Sequence, residues 1–230
     1  MTVLQQASTA PSASALTGPA PSRRWAAAGL AAGVSGAIGM VASGYTGAVY
    51  DPALSGDAGA IAEAMQERLA AILVFHTATM TAALLLVVFA AGLARRLRQA
   101  VPTDSLLPAV AASGLALVSV AGLIGTGLTT EFAFMGQQGE DVVPEVVVMF
   151  SHWIGTLPWL WAGAGVTALA VAAAWRSHAA VAPWIGRVSA VLGALTVLLA
   201  VSPLQYMAGM LGPLWLIAVS AGLLLGDRRR

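Results

Sequence analysis

The chain has 230 residues, 58% of them hydrophobic and 9% charged, with a formal net charge of +1. A soluble domain carries about a quarter charged residues, so this composition excludes an ordinary water-facing surface. The absence of cysteine excludes disulfides, iron–sulfur clusters, thiolate metal sites and cysteine nucleophiles. All eleven basic residues are Arg, and with the excess of Ala, Gly and Val this points to a GC-rich bacterial genome.

Residues 1–24 read as a disordered cytoplasmic tail. Met1 to Ser22 is uncharged and rich in Ala, Ser, Thr and Pro, and buries too little apolar surface to offset ordering. Arg23 and Arg24 end it. Long uncharged blocks follow: Trp25 to Tyr50, Leu69 to Ala94 and Ser105 to Thr130, each of 26 residues, then Val146 to Trp175, of 30. Each is long enough to span a hydrocarbon core of about 30 Å at about 1.5 Å per residue. Val188 to Gly226 is uncharged for 39 residues, too long for one span, and Pro203 and Gly212-Pro213 interrupt it. The reading is an all-α, polytopic membrane bundle over residues 25–226. Its six transmembrane helices fall at about 25–46, 69–94, 105–129, 146–175, 184–202 and 207–226, and an Arg-rich end follows at 227–230.

Six spans place ten of the eleven Arg on one side and eight of the ten acids on the other. The positive-inside rule then puts both termini in the cytoplasm. Trp25, Trp175 and Trp184 fall at inner ends, and Tyr45, Tyr50 and Tyr206 at outer ends, as interfacial aromatics do. The expected location is the bacterial cytoplasmic (plasma) membrane. The first span is too long for a cleaved signal core and reads as an uncleaved anchor; Arg23-Arg24 reads as its positive flank rather than a twin-arginine export signal.

In the outer loops, Ala58 to Arg68 sets Ile61, Met65 and Leu69 at helical spacing, which predicts a short interfacial helix. In the loop from Glu131 to Glu145, Pro144 suits a helix start and Glu145 the positive end of its dipole. Small residues recur at packing intervals: Gly29-xxx-Gly33, Ser35-xxx-Gly39-xxx-Ser43, Ser189-xxx-Gly193 and Ala208-xxx-Gly212, with Gly114, Gly122 and Gly125 in the third span. They serve packing within the bundle first, and contact with a second copy or another membrane protein second.

Gly33-Val34-Ser35-Gly36 matches the Gly-x-Ser-Gly of rhomboid-type proteases, but it lies on the first span and no histidine follows at fitting order or spacing, so it reads as helix packing. The better candidates for a site are His76 and His152, each about 8–11 Å below the outer surface. Ionisable groups at such depth often mark function. Three chemistries follow: axial ligation of a haem by both imidazoles, a divalent metal held by His76, His152 and Glu131, or a proton relay or gate to a polar pocket. The plain alternative is that each histidine donates to a neighbouring helix carbonyl and pins the bundle. His178 falls in an inner loop and is solvated. Pro158, between Leu157 and Trp159, predicts a kink beside His152.

Arg95-Arg96-Leu97-Arg98 reads as a topology determinant that can attract anionic lipid. The basic patch is far too small for nucleic acid. Pro183-Trp184-Ile185-Gly186, with the Leu192-Gly193 step, resembles the Pro-x-Trp-Leu-Gly opening of helix five in uncharacterised six-helix membrane proteins of actinobacteria, without the intervening residue. The resemblance implies a six-helix membrane protein and carries over no catalytic residue. The expected role is a non-enzymatic subunit or accessory factor with no resident cofactor. A haem- or metal-binding redox protein is the first alternative, and a small-molecule transporter the second.

Overall fold

The computed structural model describes residues 23–135 and 143–226. The expectations for residues 1–22, for the loop acids Glu140 and Asp141, and for Arg228 to Arg230 lie outside the described residues. Among the described residues the chain is all-α. Its α-helices are α1 (Arg24–Thr46), α2 (Ala58–Glu67), α3 (Leu69–Arg98), α4 (Leu107–Met135), α5 (Pro144–Thr156), α6 (Ala162–His178), α7 (Pro183–Ala200) and α8 (Ala208–Leu225). Six helical stretches are long and apolar enough to cross a membrane: α1, α3, α4, the combined Pro144–His178 stretch, α7, and the stretch ending in α8.

Each long helix packs on the next in the chain, and α8 returns to α1, so the six close into a ring. Short connections and up-and-down topology produce this order, because consecutive antiparallel helices are the nearest partners available. The core holds Leu86, Phe89, Leu93, Leu115, Trp161, Val171, Trp215 and Leu216, all buried. Outward faces carry Val34, Ile38, Val41, Leu84, Val87, Leu117, Val120 and Leu198. Apolar residues on both faces are what a helix solvated by lipid presents.

The helices approach closely because glycine lines the crossings. Gly29 meets Phe89 and Ser220, Gly33 meets Ile217 and the Pro213 carbonyl, and Gly36 and Gly212 both meet the ring of Trp161. Gly193 packs on Ala168 and Gly165. The packing steps read from the sequence are therefore used inside the bundle, including the two glycines that flank Ser35.

Several boundaries move. α3 continues through Arg95, Arg96 and Arg98, which lie in its last turn, where cations favour the negative end of the helix dipole. α4 runs on to Met135. The fourth span is not one helix: a 3₁₀ stretch, Leu157–Trp161, separates α5 from α6, with Pro158 at its start. Proline lacks the N–H that an α-turn needs, and the tighter turn accommodates it. α5 opens on Pro144 with Glu145 in its first turn, as expected. α2 forms where expected, but Ile61 and Met65 are buried in a cluster with Ile72, Phe75 and Ile154. Its apolar face lies on protein.

Candidate functional site

The site is built on the part of α4 from Gly122 to Thr130, which holds three glycines and three threonines. Glycines let neighbours approach: Leu157 lies over Gly125, and Ala83 and Thr79 lie over Gly122. The threonines bond back to their own helix, Thr126 to the Gly122 carbonyl at 2.7 Å and Thr129 to the Thr126 carbonyl at 2.6 Å.

His76 reaches this segment from α3. Its Nδ1 lies 2.9 Å from the Thr126 carbonyl oxygen. A carbonyl can only accept, so Nδ1 carries a proton and Nε2 is the ring nitrogen left to face another partner. The Thr126 carbonyl thus accepts from both His76 and Thr129. One residue earlier, Trp153 Nε1 of α5 donates to the Gly125 carbonyl at 3.3 Å. Successive carbonyls of α4 are therefore tied to α3 and to α5.

His152 has a different setting. It is exposed. Its ring stands edge-on to Tyr50, with centroids 5.6 Å apart and an interplanar angle of 86°. Tyr50 sits in a 3₁₀ turn, Ala48–Tyr50, just after α1. The turn is anchored to α5 from two sides: Val49 N donates to Ser151 Oγ at 3.3 Å, and the Tyr50 ring covers Gly155. Burial, and secondarily the nearby Tyr206, push the Tyr50 hydroxyl above its ordinary value of 10.0.

The two histidines thus have separate partners, a carbonyl of α4 for His76 and the Tyr50 ring for His152. Glu131 lies on α4, and its side chain is outside the described residues. Among the described residues no group of three His, Cys, Asp or Glu is placed to hold a metal ion. Thr79 and Ala83, on the His76 face of α3, pack at Gly39 and Gly122. On the His152 side the 3₁₀ stretch breaks the face: Trp159 stays exposed while Gly163 is buried against Gly114.

No family model, curated protein or solved structure matches this chain. The resemblance at Pro183 to Gly186 therefore assigns no family, and function rests on the site itself. Thr126 and Trp153 belong to that site and were not singled out from the sequence, and Tyr50 was read only as an interfacial aromatic. The one available signal was the adjacency of Trp153 to His152, a donor beside an ionisable group within a span. His178 is exposed, as expected, but it is the last residue of α6 rather than a loop residue.

Close to the site, a small cavity lies among Thr79, Ala83, Val118, Gly122, Leu157 and Trp161. Its volume is about 20 Å³, room for about one water molecule.

Proposed function

We propose that this chain is a non-enzymatic integral membrane protein, a subunit or accessory factor of the bacterial cytoplasmic membrane with both termini in the cytoplasm. One observation carries the reading: the buried polar groups among the described residues are, with one exception, occupied in hydrogen bonds within or between helices. Of the nine buried polar residues among the described residues, Thr46, Ser119, Thr126, Thr129, Ser151, Thr167, Ser189 and Thr196 make internal hydrogen bonds, and Ser220 makes none. Catalysis needs polar groups aimed at a substrate. Here they are aimed at helix carbonyls and neighbouring side chains. The distribution of Arg supports the orientation. The outward apolar faces leave room for a second copy or another membrane protein.

A second reading keeps a specific observation in its favour. A ligating histidine usually donates its other ring N–H to a carbonyl or carboxylate. His76 does so at the Thr126 carbonyl, which leaves Nε2 as the free donor atom of a haem- or metal-binding redox protein that also uses His152. A transporter with its pocket beside Pro158 ranks third, since the cavity there holds about one water.

A reduced-minus-oxidised visible spectrum of protein purified from its native membrane separates the first two readings. A flat spectrum, together with unchanged metal content in His76→Ala and His152→Ala, is expected. A haem band lost in either variant replaces the proposal with the redox reading. Turnover by the purified protein, abolished by one point substitution, overturns it as well.

A further inference from the structure

The arginine end of the bundle holds a concave site that the helix-packing role leaves unused. It is lined by Arg23, Trp25, Gly92, Arg95, Arg96 and Gln99, with Leu223 at its edge, and encloses about 240 Å³. Three separate elements build it: the start of α1, the last turns of α3 and the end of α8. None of the lining residues is Asp or Glu.

Its shape follows from two close approaches. Gly92 has no side chain, and the ring of Trp25 lies directly on it. The same ring packs on Phe89, with centroids 5.6 Å apart. This fixes Trp25 as one wall. Arg23 is held in place because its Nη1 donates to the Leu224 carbonyl at 2.9 Å, at the C-terminal end of α8. Arg96 Nη2 donates to the Ala180 carbonyl at 3.4 Å. Arg95 is exposed and makes the third guanidinium of the ring.

We propose that this pocket binds the phosphate of an anionic phospholipid headgroup. Guanidinium groups match phosphate oxygens in a planar, two-pronged geometry, and three arginines line this one concavity. The site lies where α1, α3 and α8 leave their apolar stretches, at headgroup depth if the spans are in a bilayer. Basic pockets between helices at that level are the expected setting for anionic headgroups. A tryptophan wall and Leu223 suit the apolar part of such a ligand. The enclosed volume is below the range of about 300–1,000 Å³ typical of sites that swallow a drug-sized molecule, which fits a headgroup with its chains left outside.

The proposal rests on the membrane reading, and the two are separable. The full chain is reconstituted into phosphatidylcholine vesicles, with and without phosphatidylglycerol. Failure to float with phosphatidylcholine vesicles overturns the membrane reading itself. Where the protein floats, gentle extraction and native mass spectrometry count the lipids retained. One phosphatidylglycerol retained per chain is expected. Arg95→Gln is the lead variant because Arg95, unlike Arg23 and Arg96, is not bonded to a backbone carbonyl of another element, and circular dichroism checks its fold. It should weaken retention by about fivefold, while Arg95→Lys keeps most of it. Arg176→Gln and Arg187→Gln, on the same end but outside the pocket, should leave it unchanged. Equal losses in all three glutamine variants, or equal retention of phosphatidylcholine, overturn the site. Displacement of the lipid by millimolar inorganic phosphate overturns the lipid source in favour of a soluble phosphate.

Discussion

At the scale of single residues, hydrogen bonds between helices are the contacts with a measurable consequence. The bond from His76 to the Thr126 carbonyl joins α3 to α4 at 2.9 Å. Interhelical bonds in membrane proteins average about 0.6 kcal/mol and reach about 1.7 kcal/mol. His76→Ala is therefore expected to lower unfolding free energy by about 1 kcal/mol in a detergent titration. His152→Ala, which removes only an exposed edge contact with Tyr50, should cost less than half of that. Equal losses at both positions would deny the difference in setting described for them. Ser220 gives the opposite test. Its Oγ is buried against Gly29 with no hydrogen-bond partner. An unsatisfied buried hydroxyl costs about 1–3 kcal/mol, so Ser220→Ala should be neutral or stabilising. A clear destabilisation would mean that a bound water or partner satisfies it. Tyr50 makes a pH-dependent prediction. Its hydroxyl is raised above 10.0, first by burial. The folded chain then binds more protons than the unfolded one above that value, so stability is unaffected at neutral pH and falls as pH rises through 10 and beyond. Tyr50→Phe should remove that alkaline component, read as the difference between the two unfolding-versus-pH curves.

At the scale of helices, the crossing of α4 and α6 shows how much the packing tolerates. Gly114 and Gly163 face one another, and a Cβ on either would meet the carbonyl oxygen of the other. Backbone cannot swing aside as a long side chain can. Gly114→Ala and Gly163→Ala are expected to cost about 1–3 kcal/mol each, the range for overpacking. Gly44 and Gly127 are also in long helices, but a Cβ there meets nothing within 4 Å. Alanine at those positions should be neutral or stabilising, by up to about 1 kcal/mol, because glycine costs that much in a helix interior. Thermal unfolding of the four variants in one detergent ranks them directly. This contrast was half legible in the sequence. Gly114 and Gly125 were recognisable as packing positions, because small residues in apolar helices permit close approach. Which helix each would meet was not, since helical periodicity gives the side of a helix and not its neighbour. The same limit hid the acceptor of His76: its depth in the span was readable, and Thr126 on α4 was not. Pro158 was legible as a disturbance, but the 3₁₀ stretch that holds it interrupts the helix between α5 and α6, so His152 and Gly163 do not share one continuous helix face.

At the scale of the whole molecule, the six long helices were legible because charge is nearly confined to their ends. Uncharged blocks mark the spans with little help from helix propensity, and the errors fall where charge misleads. α3 keeps its helix through Arg95, Arg96 and Arg98, since arginine is a good helix former and favours the last turn. The orientation can be tested sharply because the chain has no cysteine of its own. Single cysteines at Ser55, Leu204, Thr103 and Ser177 are all exposed positions between or at the ends of long helices. Ser55 follows α1 and Leu204 lies between α7 and α8. Thr103 lies between α3 and α4, and Ser177 lies at the end of α6. With six spans and arginines inside, Ser55→Cys and Leu204→Cys should react with a membrane-impermeant maleimide in intact cells. Thr103→Cys and Ser177→Cys should react only after permeabilisation. The reverse pattern would mean an inverted bundle and would move the arginine pocket to the outer leaflet. Silence at Leu204 alone, in both intact and permeabilised cells, would mean that residues 188–226 cross once, with the turn at Pro203 buried in the bilayer. Reaction at Leu204 in intact cells, with Thr103 and Ser177 protected, requires α7 and α8 to cross separately and returns the C-terminus to the side where the chain begins.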